Sequence, residues 1–145
     1  MIRAEAETVI SRSLPEVFAA LVEFGNYPAW MEACVELSQS SPGALQAGSL
    51  LSYVHNTGGK RGEMSGVVTA FEFDRVLTMQ FQDSMFAVQV GFSIESTAGG
   101  TKLSHFIEID PKTLFGRAMS PMIKAGNARQ VAANVERLKG LLDAS

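Results

Sequence analysis

Few residues in this chain carry side chains suited to moving protons, holding metals or forming covalent intermediates, and His105 is the sharpest of them. Alternation along a strand puts His105 on one face with Leu103, Ile107 and Ile109, opposite Lys102, Ser104, Glu108 and Asp110. An imidazole among aliphatic side chains must find a hydrogen-bond partner or bear the cost of desolvation. Facing a pocket, it can orient a ligand carbonyl or move a proton, because its ordinary pKa lies near neutrality. The plainer reading is a core histidine bonded locally, and the residues themselves leave both open.

Two carboxamides raise the same question. With about 100° of turn per residue in a helix, Asn127 and Asn134 fall inside the arc set by Val131, Val135 and Leu138, with Lys124 close by. A polar group on such a face is costly unless a ligand, a bound water or a strand residue partners it. Asn127 lies nearer the expected ligand end, and Asn134 suits helix-to-loop bonding. Met119, Met122 and Ile123 surround the start of this helix, where flexible thioethers fit variable contents, although core packing is the plainer reading.

Three more candidates sit earlier in the chain. Tyr53 and His55 share one face of their strand, opposite Leu50, Ser52 and Val54, and alternation does not say which face looks inward. Trp30 can close one end of a pocket with its ring, or anchor short helices to a sheet.

Other chemistries lack their residues. Two histidines and one cysteine stand in no metal-ligand spacing, so no metal site is expected. No phosphate-binding loop or dinucleotide fingerprint occurs, and no cofactor is expected. Cys34 reads as part of a connector with no histidine near it in sequence, and there is no Gly-x-Ser-x-Gly turn to present a nucleophile. Glu5 and Glu7 read as a solvated strand face.

The elements that must position these groups follow from hydrophobic periodicity. Residues 2 to 11 alternate as a strand, and Ser13-Leu14-Pro15 opens a short helix that ends near Gly25. A second short turn or helix spans 26 to 31, packing Tyr27, Trp30 and Met31 close together. Strands follow at 50 to 55, about 63 to 73, 76 to 82 and from Phe86 onward, with Met79 and Phe81 on one apolar face and Val88 and Val90 on another. After the Ala98-Gly99-Gly100 hairpin signal comes the strand of His105, and from Pro111 onward the pattern turns helical, with a kink expected at Pro121. A run of antiparallel strands covered by helices is the α+β class.

Composition sets the remaining bounds. At 145 residues, 46% apolar and 19% charged, the chain is expected to form one domain, 1–145. A net charge of −3 with scattered Lys and Arg gives no basic excess, so nucleic acid and anionic membrane surfaces are not expected partners. A lone cysteine and the absence of an opening basic-then-apolar segment point to the cytoplasm. No apolar run approaches the ~18 to 20 residues of a membrane span.

Pro15-Glu16-Val17-Phe18, Tyr27-Pro28 with Trp30, the strand-turn-strand from Val68 to Leu77, and Gly100-Thr101 together resemble the polyketide cyclase and START-like (SRPBCC) superfamily, which includes the birch pollen allergen type. The resemblance covers essentially the whole chain. It implies a helix-grip fold, in which a curved antiparallel sheet wraps a long C-terminal helix, with two short helices after the first strand. It also implies a cavity between sheet and helix, used by relatives for steroids, lipids or polyketides.

Three functions compete under this resemblance. A carrier of a small hydrophobic molecule would line its cavity with Met79, Phe81, Val88, Val90 and Ile123 and orient the guest with Asn127 or His105. A cyclase or dehydratase would use His105, with Tyr53 or His55, as acid or base. An interaction module would fill the cavity with its own side chains. The oligomeric state, a homodimer included, stays open.

Overall fold

The computed structural model describes residues 1–144. Ile2–Ile10 forms strand β1, whose alternating burial places Ile2, Ala4, Ala6, Thr8 and Ile10 on the inner face. Ser13 then starts helix α1 (Leu14–Val22): its hydroxyl accepts the Glu16 amide while the Glu16 carboxylate accepts the Ser13 amide, and Pro15 sits in the first turn, where an N–H is dispensable. A 3-10 turn at Phe24–Asn26 leads into the short helix α2 (Tyr27–Trp30).

Six strands follow: β2 (Cys34–Gln39), β3 (Leu50–Thr57), β4 (Lys60–Glu72), β5 (Val76–Gln82), β6 (Phe86–Thr97) and β7 (Gly100–Pro111). All pair antiparallel in one curved sheet of order β1-β7-β6-β5-β4-β3-β2, so the first strand closes onto the last. The fold is thus the α+β helix grip. Asp74, at φ 60°, makes the left-handed bend between β4 and β5, a conformation that Asp tolerates better than most residues.

Cys34 belongs to β2, not to a connector. The register shifts between Cys34 and Glu36, and this bulge breaks the alternation that would have marked the strand. The terminal helix is not kinked at Pro121 either. A separate five-residue helix, α3 (Leu114–Ala118), is capped by Thr113, and α4 (Ser120–Ala144) begins afresh with Pro121 in its first turn.

Helix α4 packs on β1 and β7 and touches α2. Its inner stripe is Asn127, Val131, Asn134, Val135 and Leu138, all buried. Beneath it the sheet presents cross-strand rows. One runs Ala4, Ile107, Val90, Met79, Val68, and the next runs Ala6, His105, Phe92, Leu77, Phe71. Tyr27, Trp30, Phe18 and Leu21 from the short helices complete a core in which these groups are almost wholly withdrawn from water.

Candidate functional site

The inner face gathers most of the candidate residues. Met79, Phe81 and Val90 are buried, Val88 and Tyr53 partly so, and the Tyr53 ring lies 5.1 Å from Phe81 and 5.6 Å from His55. Tyr53 and His55 therefore look inward, the point that alternation left open. Burial, with a smaller contribution from nearby Cys34, raises the Tyr53 hydroxyl pKa, so the group stays a proton-bearing donor. His55 also lies within 3.1 Å of the Thr57 hydroxyl.

Trp30 is an anchor of the core. Its ring stands 4.5 Å from Tyr27 and 5.7 Å from Phe92, and Phe92 in turn stacks face to face on His105 at 4.4 Å. Met119 and Ile123, by contrast, are only half-buried at the start of α4, and Met122 is exposed. The Cys34 thiol is buried, and its pKa is raised to about 11, chiefly by burial, which leaves it a poor nucleophile.

His105 is held on both sides. Its Nδ1 lies 3.0 Å from the Gly91 carbonyl oxygen, which can only accept, so Nδ1 carries the proton. Burial lowers the pKa to about 4 against the opposing effect of that hydrogen bond, and the ring is neutral near pH 7. Nε2 is then an acceptor, and the Asn134 amide nitrogen donates to it at 3.2 Å. One helical turn pair earlier, the Asn127 amide nitrogen donates to the Ile107 carbonyl at 2.9 Å.

These contacts orient both carboxamides, because each nitrogen faces a group that can only accept. Both oxygens, Asn127 Oδ1 and Asn134 Oδ1, are consequently left buried without a protein partner. Strand residues thus satisfy half of each amide. The inner face carries two bare acceptors about 10 Å apart along the helix axis, seven residues at 1.5 Å each.

Sequence reasoning weighed Asn134 as a loop-bonding residue and missed its role in holding His105. That pairing depends on the phase of α4 over β7, which neither segment's periodicity contains. Two open hollows, of about 420 and 590 Å³, lie elsewhere, on the outer face and edge of the sheet. The larger is lined by Arg3, Glu5, Glu7, Thr78, Ser104 and Phe106 among others; its charge suits water better than an apolar guest. Beside it the Phe106 ring fills the space that a side chain at Gly91 would take, and the Arg3 guanidinium sits 4.0 Å from the centre of that ring.

Among the described residues, no group of three or more His, Cys, Asp or Glu side chains is placed to hold a metal ion, and no helix is long and apolar enough to cross a membrane.

The same architecture recurs in solved structures of low sequence identity. A START superfamily protein from Mycobacterium smegmatis superposes with a TM-score of 0.81 at 15% identity, covering 98% of this chain and 97% of that one. An aromatase/cyclase from a Streptomyces species gives 0.81 at 11%, covering 97% and 93%. A protein from Thermus thermophilus gives 0.81 at 12%, covering 98% and 97%. No curated protein sequence matches the chain. At the level of sequence the model that does match describes polyketide cyclase / dehydrase and lipid transport proteins; it spans residues 1–143, and this chain belongs to that family.

Proposed function

We propose that the protein binds a small, mostly apolar molecule carrying a hydroxyl group or similar hydrogen-bond donor, seated between the inner face of the sheet and α4. The observation that carries this reading is the pair of buried amide oxygens on Asn127 and Asn134, each without a partner among the protein's own groups. A buried acceptor left unmet costs roughly 1 to 3 kcal/mol, and an alcohol, phenol or enol reaching it would recover that loss on binding. Met79, Phe81, Val88 and Val90 supply apolar surface along the same face, as small-molecule sites generally do.

Around His105 and α4 no donor is free for a ligand carbonyl, whereas the Tyr53 hydroxyl remains a donor elsewhere on the inner face. His105 has no free donor, since its one proton is engaged by Gly91, and its acceptor nitrogen is engaged by Asn134. For the same reason the catalytic reading loses its acid or base at His105: a ring whose pKa lies near 4 and whose nitrogens are both occupied is a positioning element for Asn134.

Native mass spectrometry of gently purified protein, followed by organic extraction, tests the proposal. A retained apolar compound bearing a hydroxyl or enol is the expected result. A clean mass, together with ordered water at both amide oxygens in a high-resolution crystal, would overturn it by assigning those oxygens to structural water.

A further inference from the structure

The fold gathers at one end of the molecule what looked scattered along the chain. Residues 111–135 contain Lys112, Arg117, Lys124 and Arg129 and no Asp or Glu. In a chain of net charge −3 this segment carries +4, so the remainder carries −7. All four cations are exposed, and none makes an ion pair among the described residues; Lys112 donates instead to the Gln82 side chain and the Asp83 carbonyl.

Large apolar side chains stand out from the same surface. Leu114 is 83% exposed, Phe115 71%, Met122 68% and Met85 45%. They are neighbours in space: the Lys112 amide bonds the Met85 carbonyl, Met119 bonds Phe115, and Met122 bonds Met119, all through the backbone. The outward aim of α3 follows from Gly116, which is pressed so close to Pro111 and Thr113 that a side chain there would crowd both. With the buried side of this short helix occupied by a glycine, Leu114 and Phe115 face water.

Isolated exposed apolar residues are ordinary, but a cluster of them among unpaired cations is not. Apolar tips that enter the acyl boundary, ringed by Lys and Arg that meet lipid phosphates, are the chemistry of an interfacial membrane anchor. We infer that the α3 end of the molecule, through Leu114, Phe115 and Met122 with Arg117, Lys124 and Arg129, docks reversibly on an anionic lipid bilayer. The acidic groups nearest in sequence are Asp83, whose carboxylate is engaged by the Met85 and Phe86 amides, Asp110 at the end of β7, and the exposed Glu136, two turns of α4 beyond Arg129 and so at the far border of the patch. The whole-chain balance of charge concealed this surface, because the acidic residues lie elsewhere.

Co-sedimentation with vesicles of phosphatidylcholine alone, and of phosphatidylcholine mixed with phosphatidylglycerol, is the test. Each cation near an anionic surface contributes about a fivefold factor, so binding to the anionic vesicles should exceed that to neutral ones by more than about tenfold and fall steeply with added salt. Leu114→Asp combined with Phe115→Asp, and separately Arg117→Glu combined with Lys124→Glu, should each abolish it. All four positions are exposed, and emission from the buried Trp30, the only tryptophan, reports that each variant is folded. Equal binding to both vesicle types, no binding to either, or binding indifferent to Leu114 and Phe115 would overturn the inference. So would a concentration-dependent dimer dissolved by the same two substitutions, which would assign the patch to a second copy of the chain.

Discussion

His105 and Asn134, 29 residues apart in sequence, meet at 3.2 Å with a single workable arrangement of protons. The Gly91 carbonyl demands the proton on Nδ1, so Nε2 accepts and Asn134 must offer its nitrogen. A strand backbone atom thereby dictates, through an imidazole, which way a helix carboxamide points, and leaves the Asn134 oxygen bare toward the interior.

That arrangement requires a neutral ring, which makes folding sensitive to acid. The folded-state pKa of about 4 lies below the ordinary 6.5, so between these values the unfolded chain binds the extra proton. The stabilisation is fully present above about pH 6.5 and is lost as pH falls toward 4, amounting to about 3 kcal/mol across the window. Urea unfolding from pH 7 to pH 4 should show this decline in the native protein and a flatter profile in His105→Gln. Equal slopes in the two proteins would mean that His105 does not titrate within the window.

Gly91 and Phe106 form a coupled pair on the outer face. They are directly opposed in register, and a methyl group at position 91 would intrude on the Phe106 ring. Gly91→Ala should therefore destabilise by about 1 to 3 kcal/mol despite the better intrinsic strand behaviour of alanine. In a Phe106→Ala background the same change should be neutral or stabilising, because the obstructing ring is gone. A double-mutant cycle by denaturant unfolding reads the sign reversal directly; a cost that persists without the ring would place its origin in the backbone.

This pair also marks where sequence reading stops. The alternation of Phe86 to Ile94 and of Leu103 to Ile109 located β6 and β7 and their buried faces, and the Ala98-Gly99-Gly100 turn joined them. Which outer-face residue of one strand opposes which of the other depends on register, and only then do Gly91 and Phe106 meet. The same limit hid β2, whose bulge after Cys34 erased its period, and α3, too short to show one. On α4 the polar break in the apolar stripe was legible as Asn127 and Asn134, because helix phase is internal to the segment. Their partners were not, since they depend on how α4 lies over the sheet. The cations of α3 and α4 were likewise legible one by one, while their common surface needed the fold.

Tyr27 tests how firmly the short helices are held to the core. Its hydroxyl donates to the Leu21 carbonyl at 2.6 Å in a wholly buried setting, bridging α1 and α2, and its pKa is raised well above the ordinary value by burial. Tyr27→Phe keeps the ring contacts with Trp30 and Phe24 and removes only the hydroxyl, leaving the carbonyl at the end of α1 without this donor. Thermal or urea unfolding should register a loss of about 1 to 2 kcal/mol. A change near zero would indicate that water or a backbone donor replaces the hydroxyl at Leu21.

Asn127 separates ligand binding from stability. Asn127→Leu removes both the bond to the Ile107 carbonyl and the bare buried oxygen, two effects of opposite sign, so stability should hold within about 1 kcal/mol or improve. A guest that relies on the oxygen as its acceptor should lose about tenfold or more in affinity, the worth of a hydrogen bond in a buried site. Asn127→Asp gives the complementary reading: its carboxylate cannot donate to Ile107, so the variant should lose stability at neutral pH and regain it in part as acid restores a proton. Titration of the extracted compound, or of a hydroxylated aromatic probe, into the native protein and Asn127→Leu measures the difference. Unchanged affinity in a variant of undiminished stability would remove Asn127 from the site and leave the Asn134 oxygen and the Tyr53 hydroxyl as the polar contacts for a guest.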